Sequence, residues 1–228
     1  AILSSTLLGV LTYPVFSQTQ TFSGNETTNG PFNDGEQHFF DNSALNAVST
    51  AAISGGTQLF NQSSTLNAST AYAITDGVQF FFDSSTPNAS ASSAINGGMQ
   101  SFTEHNTLTA TAAGAINNGP QIFNATSTLN ASAAGAITGG EQNFHDTSFL
   151  DAGAAGSISG GTQNFAADSF LNANASEAIN GGEQTFFSQS SLNVNAAGAI
   201  IGGLQYFNEY STLNASAVGS ISGGTQYL

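Results

Sequence analysis

The sequence has no lysine and no arginine, whereas it has 14 acidic residues and three histidines, which gives a formal net charge of −14. Proteins bind nucleic-acid phosphates mainly through Lys and Arg, and the same side chains attract proteins to anionic lipid. The composition therefore excludes nucleic acid and acidic membrane surfaces as electrostatic partners. We also expect no direct membrane insertion of the repeats described below.

Cysteine is also absent. This excludes disulfides and thiolate metal sites, but it leaves the cellular compartment open, because stacked repeats need no covalent cross-links. Only 6% of the residues are charged, whereas 39% are apolar. Such a chain can build a continuous core if its apolar residues follow a strict pattern.

A glutamine recurs every 21 residues along most of the chain. A constant period of a few tens of residues indicates a solenoid, in which each repeat buries its apolar face against its neighbours. The column consists of Gln37, Gln58, Gln79, Gln100, Gln121, Gln142, Gln163, Gln184, Gln205 and Gln226.

Apolar residues keep the same register as the glutamines. Phe follows each Gln by two positions except the last, where Leu228 stands, and Leu follows by eight positions except at Pro87. From Leu129 to Ile137, apolar and small residues occupy alternate positions, which predicts one long strand. Gln142 and Phe144 share one face of a second strand, and the variable residues around them predict that this face points inward.

A glycine precedes each Gln by two positions, which predicts a turn through a left-handed backbone conformation that glycine adopts at low cost. We therefore predict an all-β fold, a parallel β-helix of about nine to ten 21-residue coils. Each coil has a longer strand, a glycine turn, a shorter strand and a polar turn. The turn glycines are Gly35, Gly56, Gly77, Gly98, Gly119, Gly140, Gly161, Gly182, Gly203 and Gly224.

The buried glutamines are expected to form a structural ladder rather than a binding site. An unpaired buried amide costs about 1–3 kcal/mol, whereas stacked amides satisfy one another as donor and acceptor. A second amide ladder is expected in a column interrupted by Thr109 and Asp151. That column contains Asn46, Asn67, Asn88, Asn130, Asn172, Asn193 and Asn214.

Three regions are predicted along the chain. Residues 1–17 are apolar but too short to span a bilayer, and two accounts fit them: a partial secretory signal peptide or a hydrophobic cap on the solenoid. Residues 18–33 carry a half-formed pattern and are expected to form an irregular lead-in coil. Residues 34–228 form the repeats, which we expect to be truncated at the C-terminus.

The Gly-Gly-x-Gln-x-Phe step, as in residues 139–144 and 160–165, together with the Ala-, Ser- and Gly-rich alternating strand, resembles the passenger repeats of AIDA-type autotransporter adhesins. The resemblance covers residues 34–228. It implies an extracellular β-helical stalk at the bacterial cell surface, exported through an outer-membrane barrel and serving adhesion and autoaggregation. The repeat here is slightly longer than is usual in that family, and it carries Phe where a smaller β-branched residue is common.

No convergent set of reactive residues is evident, so we predict no enzyme activity, no cofactor and no metal. Asp83 and Glu104 fall in one column and meet the spacing of a carboxylate pair, as any two acids in a solenoid column do. His105 and His145 each follow or precede an acid, but in different columns. Asn-x-Ser/Thr triplets arise largely because Asn-Ala-Ser belongs to the repeat, and they serve as glycan acceptors only where the source glycosylates Asn.

Three functional hypotheses remain. The first is a secreted, surface-attached stalk or adhesin segment whose partner is a second copy, a host or cell-surface receptor, or a glycan. The second is a glycan-binding or carbohydrate-active module, for which Phe80, Tyr206 and Tyr227 are the outward aromatic candidates. The third is an ice-binding solenoid, which would use flat Thr-, Ser- and Asn-rich faces.

Overall fold

The computed structural model describes residues 19–228, which form a β-solenoid of about 10 turns. All paired strands are parallel, they belong to two sheets, and no helix occurs among the described residues. The predicted all-β parallel β-helix is therefore confirmed. The apolar segment 1–17 lies outside the described residues.

The first sheet carries the Gln-x-Phe sequences, and we call it the Gln–Phe sheet. The strands along its path are β1 (Thr19–Phe22), β3 (Glu36–Phe39), β5 (Ile53–Phe60), β7 (Ile74–Phe81), β10 (Met99–Thr103), β13 (Pro120–Asn124), β15 (Glu141–Phe144), β17 (Thr162–Phe165), β19 (Glu183–Phe186), β21 (Leu204–Phe207) and β23 (Thr225–Tyr227). Two short strands, β9 (Ile95–Asn96) and β12 (Ile116–Asn118), pair beside this path.

The second sheet carries the Leu-x-Ala sequences, and we call it the Leu–Ala sheet. Its strands are β2 (Thr27–Thr28), β4 (Ala44–Ala47), β6 (Thr65–Ala68), β8 (Thr86–Ala89), β11 (Thr107–Ala110), β14 (Thr128–Ala131), β16 (Phe149–Ala152), β18 (Phe170–Ala173), β20 (Ser191–Val194) and β22 (Thr212–Ala215). Most of these strands alternate between a half-buried and a buried residue, because successive side chains point to opposite faces of a strand.

The register between coils equals the sequence period. Gln142 pairs with Gln163 and Phe144 with Phe165 in the Gln–Phe sheet, and Leu150 pairs with Leu171 in the Leu–Ala sheet. A slip of one residue would turn each of these side chains to the opposite face. The buried columns therefore fix the register.

The phenylalanines of the repeat form a continuous stack inside the solenoid. From Phe22 to Phe207, successive ring centroids are 4.5–4.9 Å apart and the rings are within 6–11° of parallel. Burying one such side chain contributes about 1.5–3 kcal/mol. The stack, with the Leu, Ile and Ala columns around it, is the core of the molecule.

The predicted long strand from Leu129 to Ile137 is wrong. The strand ends at Ala131, and Gly135 has a φ of +62°, so the chain bends there. Ala136 and Ile137 are both fully buried, whereas neighbouring residues in a strand alternate. Ile137 instead forms isolated bridges to the isoleucines of the adjacent coils. Each coil thus has a third inner side made by one Ile.

The lead-in coil is shorter than the others but pairs with them. Thr19–Phe22 pairs in register with Glu36–Phe39, which is a step of 17 residues rather than 21. Phe22 stacks on Phe39 at 4.8 Å. The Phe stack therefore begins one coil before the regular glutamine period.

Candidate functional site

The ten predicted glutamines form one internal column. From Gln58 onward, the Nε2 atom of each donates to the Oε1 atom of the glutamine one coil earlier, at 2.7–2.8 Å. The glutamines from Gln58 to Gln205 are at most 1% exposed. The column is closed to solvent along most of its length, so no ligand reaches it there.

The second hydrogen of most Nε2 atoms ties the ladder to the main chain. Gln142 Nε2 donates to the carbonyl oxygen of Gly139 at 3.2 Å, and Gln163 makes the same bond to Gly160. The bond to the neighbouring glutamine and the bond to the glycine carbonyl together use both N–H groups of the amide. These side chains are consequently satisfied by the fold itself and have no donor left for chemistry.

The predicted turn glycines all have a φ between +71° and +90°. In the seven coils where a second glycine precedes the turn glycine, that first glycine is constrained by contact rather than by φ. A Cβ atom on Gly139 would lie 2.1 Å from the carbonyl oxygen of Asn117 on the preceding coil, and one on Gly140 would lie 2.6 Å from that of Gly119. The Gly-Gly step therefore lets neighbouring coils approach closely beside the ladder.

A second buried polar column, six residues after each Gln, was missed by sequence reasoning. The hydroxyl of Ser148 donates to the carbonyl oxygen of Phe123 at 2.9 Å, and that of Ser169 to Phe144 at 3.1 Å. The signal in the sequence is a serine that recurs in every coil but one within an otherwise variable turn. The column consists of Ser43, Ser64, Ser85, Asn106, Ser127, Ser148, Ser169 and Ser190.

The residues just before each buried serine form a left-handed turn. Both have positive φ although neither is glycine, as at Ala125 (+47°) and Thr126 (+65°). These turns stack through main-chain bonds such as that from Thr126 N to Asp146 O at 3.1 Å. They project into solvent and carry many of the acidic side chains.

The candidate catalytic acids lie in these exposed turns. Asp83 and Glu104 occupy adjacent coils, since Ser84 N donates to Glu104 O at 3.1 Å, and both are exposed. In residues 19–228 no group of three or more His, Cys, Asp or Glu side chains is placed to hold a metal ion. The arrangement offers no enclosed site in which a pair of acids could act on a substrate.

The histidine assignments need one correction. His105 contacts the hydroxyl of Thr126 on the next coil. His38, which sequence reasoning did not associate with an acid, lies 2.8 Å from the carboxylate of Glu36. The two are alternate residues of β3 and point to the same outer face, and this relation is visible only once the strand is assigned.

An open groove of about 400 Å³ lies between three successive left-handed turns. It is lined by Asp168, Ser188, Gln189, Glu209 and Tyr210, and the hydroxyl of Ser188 donates to Glu209 at 3.1 Å. Tyr210 is 91% exposed. The groove brings two acids and no basic group together, so it has no means of holding an anionic ligand.

The predicted asparagine ladder lies on the outer face of the Leu–Ala sheet. Asn67 donates to Asn46 and Asn88 to Asn67, while Asn193 donates to Asn172 and Asn214 to Asn193, all at 2.9–3.0 Å. Thr109 and Asp151 interrupt the column as expected. Asp151 is used in another way, because its carboxylate accepts from Asn174 at 2.6 Å.

Outward aromatic rings stack on one another instead of presenting their faces. Tyr206 and Tyr227 are 4.7 Å apart and within 4° of parallel, and Phe149 and Phe170 are 5.0 Å apart and within 2°. Sugars bind aromatic side chains across the face of the ring. In each of these pairs, one face of each ring is covered by the other ring. This arrangement does not favour glycan binding.

The outer face of the Gln–Phe sheet changes character along the solenoid. Between the second and fifth glutamines its outward positions are mostly apolar and half-buried, whereas at the next coils they are acidic or polar, as at Glu141, Asn143, Asn164 and Glu183. We call the first part the apolar face. It consists of Leu59, Val78, Phe80, Met99 and Ile122.

Comparison with protein-family models, curated proteins and solved structures finds no match to this chain. Within residues 19–228 no helix has the length and apolarity needed to cross a membrane. The functional assignment therefore rests on the geometry described above.

Proposed function

We propose that the chain is a structural stalk or adhesin segment of an extracellular, surface-attached protein of the autotransporter type. The observation that carries this proposal is the unbroken stacking of coils around satisfied polar ladders, without a convergent reactive cluster among residues 19–228. The recurrent polar side chains form hydrogen bonds between neighbouring coils instead of converging on a reactive site. The architecture suits a spacer that carries its surface away from an attachment point.

The dimensions of the solenoid fit this role. Eleven strands follow one another along the Gln–Phe sheet, which makes ten steps between coils. With strands about 4.8 Å apart, the described part of the chain spans roughly 48 Å along the solenoid axis. Further coils of the same kind would extend the stalk without changing its cross-section.

For the adhesive role we propose self-association of two copies through the apolar face. The chain has no Lys or Arg, so two copies repel wherever their acidic surfaces meet. In the coils that carry Leu59, Phe80 and Ile122, the outward positions on either side of the ladder glutamine contain no acid. Glu141 and Glu183 lie on the outer face of the same sheet farther along the solenoid. Of these two stretches of the sheet face, the apolar one lets two copies approach without opposed carboxylates.

Sedimentation velocity on the purified chain tests this contact. We expect Phe80→Asn to weaken association several-fold, because it removes the one aromatic side chain of the apolar face. The matched control is Thr185→Asn. Thr185 lies in the same outward column of the same sheet, but next to Glu183 in the polar stretch, so this substitution should leave association unchanged. Equal effects of the two substitutions would contradict the proposed contact.

The cellular role is tested by removing coils. Deleting residues 58–183, a whole number of 21-residue periods, joins matching positions and should retain the fold while shortening the stalk and removing the apolar face. We expect cells that carry the shortened protein at an equal surface level to lose attachment or autoaggregation. Unchanged attachment and autoaggregation would count against an adhesive stalk.

A further inference from the structure

Three coils depart from the Gly-Gly step, and all three place an unusual contact there. Asp34, Asp76 and Asn118 stand where most other coils have the first glycine. In each coil the main-chain N–H of the following glycine donates to the Oδ1 atom of that side chain, at 2.7 Å for Gly35, 2.8 Å for Gly77 and 2.9 Å for Gly119. A main-chain nitrogen is thus held against its neighbour's side-chain carbonyl or carboxylate.

This geometry is close to that of a cyclisation. Asn and Asp side chains followed by glycine can form a five-membered imide when the glycine nitrogen attacks the side-chain carbon Cγ. Reacting atoms held about 3–3.5 Å apart are in a near-attack arrangement. Because Cγ is bonded to Oδ1 at about 1.23 Å, the Gly119 nitrogen, which lies 2.9 Å from Oδ1 of Asn118, is at most about 4.1 Å from Cγ.

We propose that Asn118 is a self-modification site that deamidates through an imide with Gly119. Hydroxide removes the proton from the Gly119 nitrogen, the nitrogen forms a bond to Cγ of Asn118, and the bond from Cγ to Nδ2 breaks. Ammonia leaves after taking up a proton from water. Water then opens the imide at either carbonyl and yields aspartate or isoaspartate, with no oxidant or reductant involved.

The surroundings of Asn118 permit this reaction. Asn118 is exposed, so hydroxide and water reach it. The reaction also has a structural consequence, because isoaspartate adds one atom to the main chain where the coils are tightly packed. A Cβ atom on Gly119 would already lie 2.4 Å from the carbonyl oxygen of Gly98. Isoaspartate at this bend would disturb the coil contact beside Gln121.

The chain contains internal controls for the geometry. Asn96–Gly97 and Asn180–Gly181 have the same dipeptide at the neighbouring sequence position, four residues before a ladder glutamine. The Oδ1 atom of Asn96 accepts from Asn117 Nδ2 at 3.0 Å. The Oδ1 atom of Asn180 points toward the next coil, where a Cβ atom on Gly202 would lie 3.5 Å from it. The side-chain oxygen of Asn96 is therefore hydrogen-bonded along the solenoid axis, and that of Asn180 points along it.

The test measures deamidation of the full chain in the folded state and in urea. The protein is incubated at pH 8.5 in ¹⁸O-water and cleaved with pepsin at acidic pH, since trypsin has no cleavage site, and the rates at the three asparagines are compared by mass spectrometry. We expect Asn118 to react at least about fivefold faster than Asn96 and Asn180 when folded. In urea the ratio should fall toward one, because only the local sequence then remains.

The comparison of the two ratios decides the proposal. A folded-state ratio larger than that in urea supports an effect of the folded geometry. A folded-state ratio equal to or below that in urea overturns it, because the rate would then follow from the neighbouring residues alone or be suppressed by the fold.

Discussion

At the scale of single residues, the molecule depends on glutamine side chains that are buried yet hydrogen-bonded. An unpaired buried amide would cost about 1–3 kcal/mol. Gln142 avoids this cost through three bonds: it donates to Gln121 and to the Gly139 carbonyl, and it accepts from Gln163. Because each buried amide is satisfied only when it lies beside the glutamine of the next coil, the same energetic cost favours a single register between neighbouring coils.

The ladder predicts that substitutions at two adjacent residues of one strand differ strongly in their effect on stability. Gln142→Leu leaves the Oε1 atom of Gln121 and one hydrogen of Gln163 without partners, so it should destabilise the protein by about 1–3 kcal/mol. Glu141→Ala alters only the exposed side of the same strand and should change stability by at most about 0.5 kcal/mol. Urea denaturation followed by circular dichroism measures both, and equal midpoints would show that the ladder does not stabilise the fold.

The left-handed turns predict a substitution that should stabilise the protein. Ala125 has a φ of +47°, which costs an L-residue about 1–2 kcal/mol. Glycine removes that cost while adding about 0.5–1 kcal/mol of chain entropy. Ala125→Gly should therefore raise the free energy of unfolding by roughly 0.5 kcal/mol.

The control for Ala125→Gly is the same substitution in a strand. Ala131 is fully buried at the end of β14, so Ala131→Gly should lower the free energy of unfolding by about 1 kcal/mol. Thermal denaturation of the two variants should show shifts of opposite sign. Shifts of the same sign would mean that the turn is not strained at Ala125.

At the scale of strands and bends, the glycine step sets how closely the coils approach. Two glycines with ordinary backbone angles differ sharply in their surroundings. A Cβ atom on Gly139 would lie 2.1 Å from a main-chain oxygen, whereas one on Gly153 would meet no atom within 4 Å. The first position is constrained by a neighbouring backbone that cannot move independently, and the second is open.

This contrast predicts that a Gly→Ala substitution affects stability differently at the two positions. Gly139→Ala should destabilise the protein by about 1–3 kcal/mol, because the main chain at residue 139 must shift to relieve the clash. Gly153→Ala should be neutral or stabilise by about 0.4–1 kcal/mol through the entropy of the unfolded chain. Denaturant midpoints of the two variants measure this, and similar midpoints would disprove the close approach at Gly139.

The period of the sequence was sufficient to predict the parallel solenoid and the register of its coils. It was not sufficient to locate the corner at Gly135, because Leu129 to Gly135 follow the alternation of a strand although the chain bends after Ala131. The small residues there allow a tight corner, and a two-residue periodicity does not distinguish a corner from a continued strand. The buried serine column was missed for a related reason, since serine in a polar turn ordinarily faces solvent.

At the scale of the whole molecule, we expect charge to oppose self-association and the apolar face to favour it. The net charge of −14 is not offset by any Lys or Arg, so the acidic side chains of two copies repel at neutral pH. The net charge of the chain approaches zero as the pH falls toward the sequence pI of about 4.1. Salt weakens the same repulsion at pH 7, since the screening length is about 8 Å at physiological ionic strength.

We therefore expect reversible association of the purified chain near pH 4, and at pH 7 association that increases from low to physiological salt. Sedimentation velocity across pH 4–8 at both salt concentrations measures this. Phe80→Asn should reduce association under every condition, because neither protonation nor salt replaces the apolar contact, whereas Thr185→Asn should follow the parent protein. A chain that stays monomeric throughout would contradict self-association and would leave the solenoid the role of a passive spacer.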